Sequence, residues 1–150
     1  MPKITDLSTM PVVDTWTLSL QSDETADDSD KAFTVTAGYE WQVLWVWIEL
    51  TTTATVGNRQ IEIQLRDTAD DVIGDFRAAV TQAASLTRYY MFAPALADLV
   101  AFRDTDYLMT LLPPTVFLPA GYDIRIFDNN AVAAAADDMV VQMMIAQRAV

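Results

Sequence analysis

The sequence predicts an all-β domain, a two-sheet antiparallel sandwich of about eight strands with at most one or two short helical turns. Three observations predict it. From Trp16 onward, short apolar runs are punctuated by Asp, Asn, Gly and Pro, the pattern of many strands and turns. Several runs alternate with a period of two, as where Ile61, Ile63 and Leu65 alternate with Glu62, Gln64 and Arg66. Two longer runs, Trp41 to Thr52 and Met139 to Ala146, are apolar on both faces, which suits strands lying between two layers or beneath a neighbouring subunit. A jelly roll is the preferred topology. An immunoglobulin-like sandwich remains open, although its Cys…Trp…Cys spacing is missing.

Residues 1–15 read as an extended arm, and 16–150 as one domain, large enough to bury a core without staples. Trp16, Leu18 and Leu20 alternate with Thr17 and Ser19 as a half-buried strand, followed by the acidic loop Ser22 to Asp30 and a short strand at Phe33 and Val35. In the run from Trp41, alternation puts Val43, Trp45 and Trp47 on one face and Leu44, Val46, Ile48 and Leu50 on the other. Val56-Gly57-Asn58-Arg59 has turn chemistry and joins this run to Ile61–Leu65 as a predicted hairpin. After the polar turn Asp67 to Asp71, Val72 to Phe76 is a further strand.

Ala78 to Ala84 favours a helical turn by propensity, whereas Arg88 to Phe92 returns to β. Ala93 to Asp106 is a long connection in which Leu96, Leu99, Val100 and Phe102 suit a short helix. Tyr107 to Leu112 is a strand stopped by Pro113-Pro114, and Val116 to Leu118 leads through Pro119-Ala120-Gly121 into a predicted hairpin with Tyr122 to Phe127. In the closing strand Met139, Val141, Met143 and Ile145 share a face, so this strand is expected at the centre of a sheet.

Composition narrows the chemistry. Without cysteine there is no disulfide, thiol nucleophile or Cys-type metal site, and without histidine the commonest general base and the His-based metal sites are gone. No catalytic, cofactor-binding or metal residue is assigned, and the chain is expected not to be an enzyme. A net charge of −12, with seven arginines spread along the chain, argues against a nucleic-acid partner. Neither a signal peptide nor a membrane anchor is expected, because the apolar stretches are short and broken by proline.

Three features compete for function with plainer readings. Asp23, Glu24, Asp27, Asp28 and Asp30 supply the oxygens calcium requires, but they lack the Gly and the terminal Glu of an EF-hand loop and read as a solvated loop. Trp41, Trp45 and Trp47 on one strand face could form a stacking platform for sugar, whereas a sandwich core or subunit interface uses the same residues. Glu49 and Glu62 are the pair to consider as a glycosidase dyad, and solvent-facing acids are their plainer reading.

Taken in order, Tyr39-Glu40-Trp41-Gln42-Val43, then Val56-Gly57-Asn58-Arg59 with Ile61, Ile63 and Leu65, then Pro114 to Gly121 leading into Tyr122 to Asp128, and Ala131 to Met139 before the last strand resemble small bacteriophage virion structural proteins. The resemblance runs from about Trp41 to the last residue. It implies a jelly-roll head decoration (cement) protein that binds the assembled capsid, bridges capsomers and has no catalytic residues. Its expected partners are the major capsid protein and copies of itself, a trimer ahead of a dimer. Its expected location is the virion surface after assembly in the host cytoplasm, with a tail, neck or head-fibre position as the alternative. Met10, Val12 and Val13 of the arm and Leu96, Leu99 and Phe102 of the long connection are the expected interface residues.

Overall fold

The computed structural model describes residues 15–94, 106–130, 132–133 and 135–150. Ten strands run in chain order: β1 (Thr17–Asp23), β2 (Asp30–Thr34), β3 (Tyr39–Thr51), β4 (Ile61–Arg66), β5 (Val72–Arg77), β6 (Thr87–Pro94), β7 (Tyr107–Leu112), β8 (Phe117–Leu118), β9 (Asp123–Asp128) and β10 (Asp138–Ala149). Sheet A has the order β1-β10-β3-β6-β7, with the short β8 also paired to β3, and sheet B has the order β2-β9-β4-β5. Setting β7 and β8 aside and renumbering the other eight gives 1-8-3-6 in one sheet and 2-7-4-5 in the other, the strand order of a jelly roll. The strand expected at Tyr107 to Leu112, β7, and the short β8 are therefore insertions between the sixth and seventh strands of that scheme. All neighbouring strands are antiparallel except β6 and β7, which run parallel from Tyr89↔Tyr107 to Pro94↔Leu112.

The core lies between the sheets. Val46, Ile48 and Leu50 of β3 and Met139, Val141, Met143 and Ile145 of β10 face Ile61, Ile63 and Leu65 of β4 and Ile124 and Ile126 of β9, all buried. Each such side chain contributes about 1.5–3 kcal/mol by leaving water. β10 is central as expected, between β1 and β3.

One local irregularity changes what β3 shows to each side. The pairing with β10 skips from Trp45↔Met144 to Val43↔Ile145, so Leu44 is an extra residue and the alternation reverses there. Val43 and Trp41 consequently join Val46, Ile48 and Leu50 on the inner face, and Trp41 is buried, while Leu44, Trp45 and Trp47 turn outward. The expected groupings of Val43 with Trp45 and Trp47, of Leu44 with Val46, Ile48 and Leu50, and of Trp41 with the other two tryptophans are corrected on this point.

Two predicted hairpins are also corrected. β3 and β4 belong to different sheets, as do β8 and β9, so each turn carries the chain across the sandwich instead of folding it back along one sheet. Gly57 and Gly121 take the positive φ that such turns use, but turn residues say nothing about which sheet follows. Gly57 has φ of 149°, and a Cβ there would lie 2.8 Å from the Val132 side chain. β4 and β5 do form a hairpin.

No helix occurs among the described residues. Ala78 to Ala84, expected as a helical turn at most, is irregular and is pinned by Gln82, whose buried side-chain amide donates to the Leu50 and Leu86 carbonyls, both at 2.8 Å, and accepts from the Tyr90 hydroxyl at 2.9 Å. Burial pushes the Tyr90 phenol up to about 12. The expected arm, apart from Thr15, and the expected helix at Leu96 to Phe102 lie outside the described residues.

Candidate functional site

The two sheets present opposite chemistry to the outside. On sheet B, ion pairs cross the outward face: Arg125 with Asp30 at 2.5 Å, Arg66 with Asp123 at 2.5 Å, and Arg77 with Glu62 at 2.8 Å and Asp75 at 3.2 Å, with Val72 exposed at the β5 edge. Arg125 also lies over the Phe127 ring, 4.2 Å from its centre. Hydrogen bonds from Asp123 and Asp30 raise the Arg66 and Arg125 guanidinium pKa values above the ordinary one. The charges of this face satisfy one another, and Glu62, expected to face solvent, is buried at 1% exposure in its pair with Arg77.

Sheet A is different. In β1, Leu18 and Leu20 pair with Ala146 and Met144 of β10 and point away from the core, 71% and 50% exposed, while Ser19 and Gln21 pair with the inward-facing Ile145 and Met143. The amphipathic strand that the sequence predicts is thus present with its apolar side outward. Its seven-pair register fixes that choice, because a slip of one residue would reverse every side chain. The alternation itself is visible in sequence, but the face it turns to the core is not.

The same outer surface continues across the sheet. Met144 pairs with Trp45, Gln142 with Trp47, Trp47 with Met91, and Met91 with Met109. Trp47, Tyr89 and Tyr107 stack in sequence across β3, β6 and β7, with ring centres 5.9 Å and 4.7 Å apart and planes inclined by 24° and 21°. The Glu49 carboxylate pushes the Tyr89 phenol above its ordinary value. At the far edge Leu111 is 62% exposed. Apolar and aromatic side chains therefore reach all five main strands on this face, interrupted by Gln142, Glu49 and the Arg148–Glu40 ion pair, and their share is that of a protein interface.

The other candidates fall into place around it. Glu49 is on the outside of sheet A and Glu62 on the outside of sheet B, so they sit on opposite faces of the sandwich and cannot act together on one bond. The acidic loop is neutralised from within: the buried Lys31 ammonium donates to Asp27 at 2.6 Å and to the Thr25 carbonyl at 2.9 Å, and lies 3.5 Å from Asp23. The Lys31 ammonium thus pairs with two of the five carboxylates, while Asp30 pairs with Arg125 and Glu24 accepts from Gln142. Among the described residues no group of three or more His, Cys, Asp or Glu side chains is arranged to hold a metal ion. No helix among them is long and apolar enough to cross a membrane. Met10, Val12, Val13, Leu96, Leu99 and Phe102, the expected interface residues, lie outside the described residues.

No family model matches the chain, and no curated protein matches it. Among solved structures it is similar to a chain of turnip yellow mosaic virus, at 10% identity and a TM-score of 0.36, covering 99% of this chain and 90% of that one. It is similar to a chain of the infectious bursal disease virus Gx strain, at 10% identity and a TM-score of 0.35, covering 88% of this chain and 32% of that one. It is also similar to the family 11 carbohydrate-binding module of a Clostridium thermocellum cellulosomal cellulase, at 13% identity and a TM-score of 0.24, covering 95% and 91%.

Proposed function

We propose that this chain is a non-enzymatic structural protein of a virus particle, and specifically a phage capsid decoration protein that binds the assembled head and bridges capsomers. The observation that carries the reading is the outer surface of sheet A, where β1 turns Leu18 and Leu20 away from its own core and Trp45 and Trp47 follow on the same side. A soluble domain with no partner rarely leaves so many apolar side chains on one sheet face open to water. The jelly-roll order supports the reading, since that fold recurs in viral capsid domains. Fold alone does not assign a function, and the surface has to carry it. In this proposal Met10, Val12, Val13, Leu96, Leu99 and Phe102 add contacts to the capsid protein or to a second copy, and no cofactor takes part.

The test is addition of the purified chain to undecorated heads, followed by cosedimentation and by release of the genome on heating. The expected result is saturable binding and a higher release temperature, both lost in the double variant Leu18→Lys, Leu20→Lys. Absence of binding to any capsid lattice overturns the decoration role.

A carbohydrate-binding role is the second reading, favoured by Trp45 and Trp47 lying on the outside of the sheet. A sugar platform needs ring faces open to solvent, whereas Trp47, Tyr89 and Tyr107 stack against one another. Oligosaccharide titration followed by tryptophan fluorescence separates the two readings, with no change expected for a decoration protein.

A further inference from the structure

Most carboxylates on the strands are matched by a cation of the same chain. Asp23, Asp30, Glu40, Glu62, Asp75 and Asp123 each lie against a lysine or arginine. Asp128 is buried and accepts from the Gln60 and Asn130 backbone N–H groups. Glu49 and Asp138 have no cation beside them among the described residues. Both are on the outer side of sheet A, where Glu49 pairs with Val140 and Tyr89, and Asp138 pairs with Thr51, the next outward residue along β3. Of the cations not yet placed, Arg59 is held by Asp137, and Arg88 donates to the Thr81 carbonyl.

Glu49 also stands beside aromatic rings. It is opposite Tyr89, and Trp47 precedes it by two residues on the same face. The same combination occurs twice elsewhere, completed each time by an arginine. Asp30 is opposite Phe127, and Arg125 pairs with the acid while lying 4.2 Å from the ring centre. Glu40 pairs with Arg148, whose guanidinium lies 4.8 Å from the centre of the Trp16 ring. At Glu49 the rings and the acid are present without an arginine among the described residues. Glu49, and to a smaller extent Asp106, push the Tyr89 phenol above its ordinary value, as negative charge without a cation does.

We infer that this corner of sheet A receives an arginine from a protein partner, its guanidinium donating to the Glu49 carboxylate and lying against Trp47. Charge complementarity names the occupant. A chain of net charge −12 attracts cations and repels its own copies. A planar guanidinium is the cation that pairs with a carboxylate and stacks on a ring at once. Stacking with Tyr89 involves only one face of Trp47. The inference rests on the reading of this sheet face as a docking surface and adds the chemistry of what docks, a basic residue among apolar ones.

The probes are the peptide acetyl-Leu-Arg-Leu-amide and its citrulline counterpart, which keeps the shape and loses the charge. Each is titrated against the full chain and followed by the Trp47 indole N–H resonance. Expected are saturable shifts with the arginine peptide that weaken as salt rises, and binding about tenfold weaker for citrulline and for Glu49→Gln. Circular dichroism checks that Glu49→Gln is folded. Equal binding of the two peptides, binding indifferent to Glu49→Gln, or no binding to the parent chain overturns the inference. If the peptide binds Arg103→Gln but not the parent, the chain's own arginine, outside the described residues, fills the place, and the inference is overturned. Undecorated heads separate this contact from the decoration role. Heads that take up Glu49→Gln as well as the parent refute the arginine contact and leave that role standing. Heads that take up neither refute the role, while the peptides still decide the contact.

Discussion

Arg59 and Asp137, seventy-eight residues apart in sequence, form an ion pair with both side chains fully buried. Arg59 donates from Nε to one carboxylate oxygen at 2.7 Å and from Nη2 to the other at 3.2 Å, and its remaining N–H groups reach the Thr55 and Gly57 carbonyls and the Thr53 hydroxyl. The pair ties the β3–β4 crossing to the loop before β10.

Removing one partner strands the other charge without water. Asp137→Ala and Arg59→Met are each expected to destabilise the fold by about 3–5 kcal/mol, measured by urea unfolding. The double variant should cost less than the sum of the two, because the second substitution removes a charge already left alone. Additive losses would show that the pair does not act as a unit.

Acid should weaken this junction in a defined direction. Burial pushes the Asp137 carboxyl up, but the hydrogen bonds from Arg59 and Thr53 outweigh it and hold the group below its ordinary value. A carboxyl held lower in the folded state contributes stability that is complete above the unfolded value, about 3.9, and is lost as pH falls through the folded one. Thermal melts taken below pH 4 should therefore decline more steeply for the parent than for Asp137→Asn.

Tyr90 gives the opposite sign. With its phenol raised to about 12 by burial, the folded state retains a proton that the unfolded chain releases near 10. Its contribution is complete below the unfolded value and fades as pH rises from about 10 to 12. Tyr90→Phe should reduce this alkaline loss, and tyrosinate absorbance should show one residue fewer titrating with unfolding.

The inside and outside of sheet A should respond differently to substitution. Leu18→Lys and Leu20→Lys are each expected to change stability by no more than about 0.5 kcal/mol, since neither side chain is in the core. Ile48→Ala, at a fully buried position, should cost about 2–5 kcal/mol. Urea midpoints decide, and a large loss at Leu18 would mean that its side chain is covered within the chain itself.

Much of the fold was legible because period-two alternation and turn residues are local. Ile61 to Leu65 and Ile124 with Ile126 lie in the core as their spacing predicts, and β10 is central as its doubly apolar pattern predicts. What was not legible depends on partners far along the chain. The bulge at Leu44 follows from the register with Met144 and Ile145, and the outward turn of Leu18 and Leu20 follows from pairing with residues more than 120 positions away. The acidic loop was half visible: its carboxylates and the adjacent Lys31 are plain in sequence, but only the fold brings Arg125 onto Asp30 from ninety-five residues away. The surface now proposed for binding was hidden because an alternating strand looks the same whichever side faces inward.

The place of β10 between β1 and β3 sets the order in which the molecule can be completed. During synthesis β1 emerges before the other nine described strands, but its pairing partner is the last of the ten, so Leu18 and Leu20 stay without a sheet until residues 141–147 leave the ribosome. Contacts of such long separation close slowly, and an apolar strand kept waiting is exposed to misassociation. Nascent chains stalled before β10 should therefore engage chaperones through β1, and folding yield should depend on how quickly Asp138–Ala149 is delivered.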